Sequence, residues 1–373
     1  MKYSYWELVA FFRDVDICII GSGIVGLSAA IEIKAKHPNY NVLVLEKGTL
    51  PSGASSKNAG FSCFGSPSEL LDDLEIMSED QVGQLVEKRW KGLLNLQKLI
   101  GSNLDFDPCG GHELFAEQDE ALYGTCADQL NYLNNLVKNA IGHSPYVVDH
   151  DLPAKNGFHG IPWNISNTLE GSIHTGQMIR TLIEKAQKMS IRILNGLEVK
   201  DFESKGDRVQ VHISSTTFSC SQLFICTNGF ARKLLPELDV HPARNMVMVT
   251  NKILGLPIHG TFHMHKGYVY FRNIDERLLI GGFRHLAPEE EATSEFGSNQ
   301  RIKYAISQLV KDHLLPDQEI SFEYEWSGIM GVGPCKSVII EEVEPGVICG
   351  VRLGGMGVAI GSLIGKKLAA YAD

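Results

Sequence analysis

Asp16-Ile17-Cys18-Ile19-Ile20-Gly21-Ser22-Gly23-Ile24-Val25-Gly26-Leu27 is the stretch that decides the fold of this chain. Its first five residues are almost wholly apolar, the pattern of a strand buried on both faces of a parallel sheet. Glycines then fall at GxGxxG spacing, and Leu27-Ser28-Ala29-Ala30-Ile31-Glu32-Ile33 continues with helical periodicity. Downstream, Asn41-Val42-Leu43-Val44-Leu45 reads as a second buried strand that ends at Glu46, 20 residues beyond Gly26. Strand, glycine turn, helix, strand and acid make one βαβ unit of the Rossmann-like α/β class. In such a unit Gly21 permits the tight turn, Gly23 lets a pyrophosphate approach the backbone, and Gly26 lets helix and strand pack closely. The helix start at Ser22, Ile24 and Val25 offers unpaired N–H groups and a positive dipole end to phosphates. Glu46, with Lys47 beside it, is placed to accept hydrogen bonds from ribose hydroxyls. The motif therefore predicts a dinucleotide, without choosing between nicotinamide and flavin types.

The chain has 373 residues, with 34 Lys plus Arg against 44 Asp plus Glu, for a formal charge of −10. Its 44% apolar and 21% charged residues suit a globular protein of two or three units and exclude a disordered or coiled-coil chain. An acidic surface argues against nucleic acid as a partner. The eight cysteines form no CxxC pair and no metal-ligand spacing, so reduced thiols, a cytoplasmic location and no metal are expected. The opening residues lack a secretory pattern and no run is long enough for a membrane span, so a soluble protein is expected.

Further along, Ser68 to Leu99 and Glu117 to Ile141 are helix-prone, and Gly176 to Lys188 reads as an amphipathic helix. Ile191 to Leu194, Val209 to Ile213 and Leu223 to Cys226 read as strands, and strands dominate from Pro242 to Glu325. Val347-Ile348-Cys349, a glycine-rich turn and a helix from Gly357 to Tyr371 close the chain. With no repeat and no low-complexity linker, a second unit inserted within the first is expected.

Two more glycine-rich segments bear on the cofactor. Pro51-Ser52-Gly53-Ala54-Ser55-Ser56-Lys57-Asn58-Ala59-Gly60 follows the second strand, and Gly350-Val351-Arg352-Leu353-Gly354-Gly355-Met356-Gly357-Val358-Ala359 precedes the last helix. With these, the sequence resembles the FAD-dependent D-amino-acid oxidase superfamily, which includes glycine oxidase, sarcosine oxidase and gamma-glutamylputrescine oxidase. Intermediate landmarks match in order: Gly196-Leu197-Glu198-Val199, Thr227-Asn228-Gly229-Phe230, Tyr268 to Gly282, and Trp326-Ser327-Gly328. The resemblance implies an FAD-binding domain from segments 14–104, 171–238 and 329–373. An antiparallel-sheet substrate domain would come from 105–170 and 239–328. It implies that Ser55, Ser56, Lys57, Asn58, Ala59 and Gly60 run past the flavin ring, that Val199 meets adenine, and that Thr227 and Gly229 lie beside the cofactor. Gly354, Gly355, Met356, Gly357, Val358 and Ala359 would aim backbone N–H groups at the pyrimidine side, where reduced flavin carries negative charge.

The implied activity is oxidation of a C–N bond of a small amine or amino acid to an imine, with oxygen or another electron acceptor. The alternatives are a 2-hydroxy acid or polyol-phosphate dehydrogenase, and a flavin-binding subunit without its own substrate. Tyr268 and Tyr270 alternate onto one strand face and resemble tyrosines that line family substrate pockets; Cys63 follows the flavin-contacting segment. Three departures stand out. Met330 occupies the position of a carboxylate-binding arginine, Ala359 that of a lysine, and Leu279 falls near the lysine that promotes oxygen reaction in sarcosine oxidase. Arg352, and less favourably Arg284, are the replacement cations expected to meet a substrate carboxylate. No cysteine aligns with a covalent attachment site, so non-covalent FAD is expected. His263 and His265 share a face and are read as surface histidines.

Overall fold

A computed structural model describes residues 3–372. Its first sheet grows from the βαβ unit: β1 (Val15–Ile20) leads through the glycine turn into α1 (Ile24–Lys36) and then β2 (Val42–Glu46). All of β2, and all of β1 except Asp16, is buried, which is why both segments read as uninterrupted apolar runs. The shorter strands that follow are β3 (Phe61–Ser62), β4 (Gly111–Phe115), β5 (Tyr146–Val148), β6 (Trp163–Asn167), β7 (Gly171–Ser172) and β8 (Arg192–Asn195). Next come β9 (Val199–Lys205), β10 (Arg208–Ile213), β11 (Thr216–Ile225), β12 (His241–Thr250), β13 (Thr261–Met264) and β14 (Val269–Ile274). The last are β15 (Arg277–Gly282), β16 (Phe322–Val332), β17 (Ile339–Glu344) and β18 (Val347–Val351).

The first sheet runs β17-β18-β11-β1-β2-β8, with β10 and β9 extending from β11. Pairing is parallel from β18 to β8, so this half is the α/β layer. The second sheet runs β16-β12-β15-β14-β13-β4-β6-β5. It is antiparallel except at β13 and β4, where two separate excursions of the chain meet in parallel register. Stacked Phe262 and Phe271, with ring centroids 4.9 Å apart and Phe158 edge-on to both, anchor its core.

Each of the two helix-prone stretches is divided in the fold. The helix-prone stretch from Ser68 to Leu99 folds as two helices, α2 (Pro67–Leu74) and α3 (Glu79–Ile100). Ser78 and Gln81 form a reciprocal capping box that starts α3. The stretch from Glu117 to Ile141 likewise divides into Glu120–Asp128 and Leu130–Ile141. After α4 (Thr175–Lys188), the final helix α5 (Gly357–Leu368) ends three residues before Tyr371 and packs against α1 and α3. Among the described residues no helix is long and apolar enough to cross a membrane.

Candidate cofactor and substrate site

A cavity of about 1440 Å³ runs from the carboxyl ends of β1 and β2 to the second sheet, more than the ~300–1,000 Å³ of ordinary small-molecule sites. Gly21, Gly23, Ile24 and Val25 line it from the first glycine turn, and Gly354 to Ala359 line it from the last. The two turns, which lie at opposite ends of the chain, thus face one space. Glu46, Lys47, Ser55, Lys57, Asn58, Ala59, Val199 and Thr227 complete this part of the wall.

Ser22, Gly26, Ser56, Gly60 and Gly229 stand behind the wall. Ser22 donates to Glu46 Oε2 from its backbone N–H (3.2 Å) and its hydroxyl (2.9 Å). Gly48 N–H (2.9 Å) and the Ser52 hydroxyl (2.8 Å) occupy Oε1, so Glu46 is held rigidly at the end of β2. A side chain at Gly26 would put its Cβ 2.0 Å from the Gly21 carbonyl oxygen; the close approach of α1 to the turn requires glycine there. Ser56 turns inward to the Pro51 carbonyl (2.6 Å), and Gly60 N–H donates to Asn58 Oδ1 (2.9 Å). The first N–H of α1, from Ile24, donates to Ser55 Oγ (3.0 Å), which ties the first turn to the segment after β2.

These residues fit an elongated dinucleotide. The first turns of α1 and α5 both open on the cavity, and a helix leaves its first N–H groups without internal acceptors. Thr227 Oγ1 is buried on the same wall without a hydrogen-bond partner. Lys47 Nζ sits 3.8 Å above the Phe230 ring. Its pKa is lowered, first by burial and then by Lys233.

Toward the second sheet the wall includes Cys63, Tyr268, Tyr270, Asn245, His263 and Glu69. Tyr270 lies within β14, whereas Tyr268 precedes that strand and is 46% exposed, so the two tyrosines meet the cavity differently. Burial, then the charges of Glu170 and Glu69, push the Cys63 thiol well up and keep it protonated. Arg352 also borders the cavity, with φ of +65°. Its Nη1 donates to the Asp239 carboxylate and carbonyl (both 3.0 Å), and its Nε and Nη2 donate to the carbonyl and hydroxyl of Ser337 (both 2.9 Å). Its N–H donates to Asn228 Oδ1 (3.1 Å), so the residue clasps three loops together. Arg284 borders the cavity, and its guanidinium has no hydrogen-bond or ion-pair partner among the described residues.

His263 corrects the surface reading. It is buried on β13, with Nε2 3.6 Å from Glu170 Oε2. His265 lies beyond the end of β13 in a left-handed turn with φ of +51°. The period-two face therefore stops before it, and the two histidines do not share surroundings.

Residues 16–371 match the model of a protein family described as FAD dependent oxidoreductase. The chain belongs to this family. FAD, when bound, supplies the family with an acceptor for two electrons. The bifunctional protein ThiO/ThiG of Synechocystis is 24% identical over 87% of this chain and 48% of that protein, so the chain spans about half the length of that relative. Glycine oxidase of Geobacillus kaustophilus is 22% identical over 84% of this chain and 80% of the relative. Among solved structures, L-proline dehydrogenase from P. horikoshii superimposes with a TM-score of 0.76 at 16% identity, covering 96% of this chain and 93% of that one. The shared fold is the two-domain architecture of this family's flavoenzymes.

Sequence reasoning missed Asn245 and Glu69 on the wall and read His263 as a surface residue. His263 carried a usable signal, since a hairpin through His265-Lys266-Gly267 sets it opposite Tyr270. Asn245 carried none, because its place depends on pairing across β15.

Proposed function

We propose that this FAD-dependent oxidoreductase oxidises a C–N bond of a small amine or amino acid to an imine, which water hydrolyses. The observation that carries this reading is one cavity bordered by both glycine turns and continuing to the second sheet, where Tyr268, Tyr270, Asn245, His263 and Glu69 border it. A neutral amine gives up its C–H hydrogen with the bonding pair, and the nitrogen proton leaves to bulk water or a neighbouring base. Little acid–base machinery is needed beyond holding the C–H bond at near-attack distance. Tyr268, Tyr270 and Cys63 are the residues proposed to border the substrate. Arg352, its guanidinium engaged by Asp239 and Ser337, is proposed to fix the last glycine turn. The names of the Geobacillus glycine oxidase and the P. horikoshii proline dehydrogenase agree with C–N chemistry.

The sheets support the division proposed from sequence, with segments 14–104, 171–238 and 329–373 holding FAD non-covalently and 105–170 and 239–328 meeting the substrate. Eight free cysteines accord with a reducing, cytoplasmic setting. Oxygen or another electron acceptor would take the electrons onward. The test is anaerobic mixing of the FAD-loaded protein with a panel of amines, amino acids and 2-hydroxy acids. Bleaching of the yellow flavin by an amine or amino acid is expected. Bleaching by hydroxy acids alone, or by nothing in the panel, overturns the reading.

A further inference from the structure

Three polar groups at the second-sheet end of the cavity have bonding capacity that the protein leaves unused. His263 and Tyr270 stand directly opposite in antiparallel register on β13 and β14, so their side chains share one face of the sheet. Phe61 packs edge-on against both rings, at 5.3 and 5.6 Å. On the far side of β14, Tyr270 pairs with Gly281 of β15. A Cβ at Gly281 would lie 2.7 Å from Tyr270 Oη. Its absence lets the phenol lie across β15 and reach Asn245 on β12, whose Nδ2 donates to Tyr270 Oη (3.2 Å). The phenol oxygen is thus an acceptor inside the protein, and its proton is left to be donated to a ligand.

Asn245 Oδ1 is buried without a partner. His263, with 8% of its side chain exposed, aims Nε2 at Glu170 across 3.6 Å, too long for a hydrogen bond. Its Nδ1 has no partner among the described residues. The groups facing it are Glu170, Glu113 on β4, Glu69 on α2 and His112. Burial alone would discharge the ring, but the adjacent Glu170 carboxylate, with the charges of Glu69 and Glu113, outweighs it and raises the pKa. Of the other cations bordering the cavity, Lys266 is engaged with Asp72, Lys336 with Asp73 and Arg89 with the Phe64 carbonyl, whereas the Arg284 guanidinium has no partner among the described residues.

We infer that Asn245, Tyr270 and His263 form a subsite that reads two polar groups of the substrate at once. The Tyr270 hydroxyl and the His263 ring N–H donate to a carboxylate, and Asn245 Oδ1 accepts from the neighbouring amine N–H. Gly281 is a positioning residue, since it leaves the space that Tyr270 occupies. This inference rests on the C–N reading above and assigns the residues that distinguish an α-amino acid from a simple amine.

The test uses the FAD-loaded protein titrated with benzoate, a carboxylate without an amine, and with benzylamine, an amine without a carboxylate. Binding is followed by the perturbation of flavin absorption. Benzoate affinity is expected to fall about tenfold between about pH 6 and about pH 9, as the imidazolium discharges. His263→Asn, which keeps a neutral donor, should abolish that pH dependence. Tyr270→Phe should weaken benzoate by about tenfold at both pH values, and Asn245→Leu should weaken benzylamine alone. Unchanged benzoate binding in both His263→Asn and Tyr270→Phe, or no benzoate binding by the wild type, overturns the inference. Tyr270→Phe removes a single oxygen and decides alone should the histidine variant not fold. A wild-type protein that takes up no FAD would instead overturn the underlying reading of the cavity.

Discussion

Gly26→Ala is the sharpest perturbation of the cofactor grip. The added Cβ would stand 2.0 Å from the Gly21 carbonyl oxygen, against about 3.4 Å for an ordinary contact, so the two backbones must part by roughly 1.4 Å. Neither atom belongs to a side chain that could rotate away. The Gly21 N–H is committed to the Leu45 carbonyl at 2.8 Å, so the turn cannot retreat without pulling on β2. Overpacking of buried sites costs about 1–3 kcal/mol, and this rigid contact belongs at the upper end. About 3 kcal/mol taken from the binding-competent geometry corresponds to a loss of FAD affinity of roughly 100-fold. FAD titration of the apoprotein, followed by quenching of flavin fluorescence, measures this directly, and thermal unfolding of both forms reports the accompanying destabilisation. Gly83→Ala is the control: its Cβ would meet nothing within 4 Å on α3, and a helical glycine-to-alanine change there should stabilise by about 0.4–1 kcal/mol. If Gly26→Ala binds FAD within about threefold of wild type and melts at the same temperature, the argument from close approach is wrong.

Three further outcomes are expected. Arg244 binds Glu291 through Nε (2.8 Å) and Nη2 (2.7 Å), with Glu291 only 1% exposed; Arg244→Met should cost about 3–5 kcal/mol in denaturant unfolding by stranding a buried carboxylate. Glu113, fully buried, has its pKa raised from 4.5 to about 7, first by desolvation and against two hydrogen bonds from Ser68. The folded state therefore binds more protons across that window, so stability should fall by on the order of 3 kcal/mol as pH rises through it; Glu113→Gln should flatten the slope in unfolding measured at several pH values. Cys335 is exposed, and hydrogen bonds from Ser337, then the nearby Arg352, lower its pKa; it should react first with a chromogenic disulfide, and Cys335→Ser should remove that fast phase.

The glycine-turn end of the cavity was legible because its residues are consecutive or nearly so. Gly21 to Gly26 and the segment from Ser55 to Gly60 act through backbone shape, and local spacing encodes backbone shape. The parallel sheet was legible for the same reason, since strands buried on both faces write themselves as apolar runs. The substrate end was not. Asn245 meets Tyr270 only because β12, β15 and β14 pair in one register with a glycine between them. His263 meets Glu170 only because β13 and β4 join two distant segments. Arg352 looked like a free cation because a linear sequence hides that Asp239 and Ser337 fold onto it. Charge and residue type mark a candidate, and tertiary pairing decides whether its valence is already spent.

The crevice has one wall built from the earliest strands and another built from β18 and α5, which are the last elements of the described chain. A ribosome making this protein has therefore exposed the Gly21–Gly26 hook long before the opposing jaw exists. Prosthetic-group loading is expected to wait until Gly354 to Ala359 have been made, and polypeptides stalled before Gly354 would emerge colourless however well their second sheet had formed.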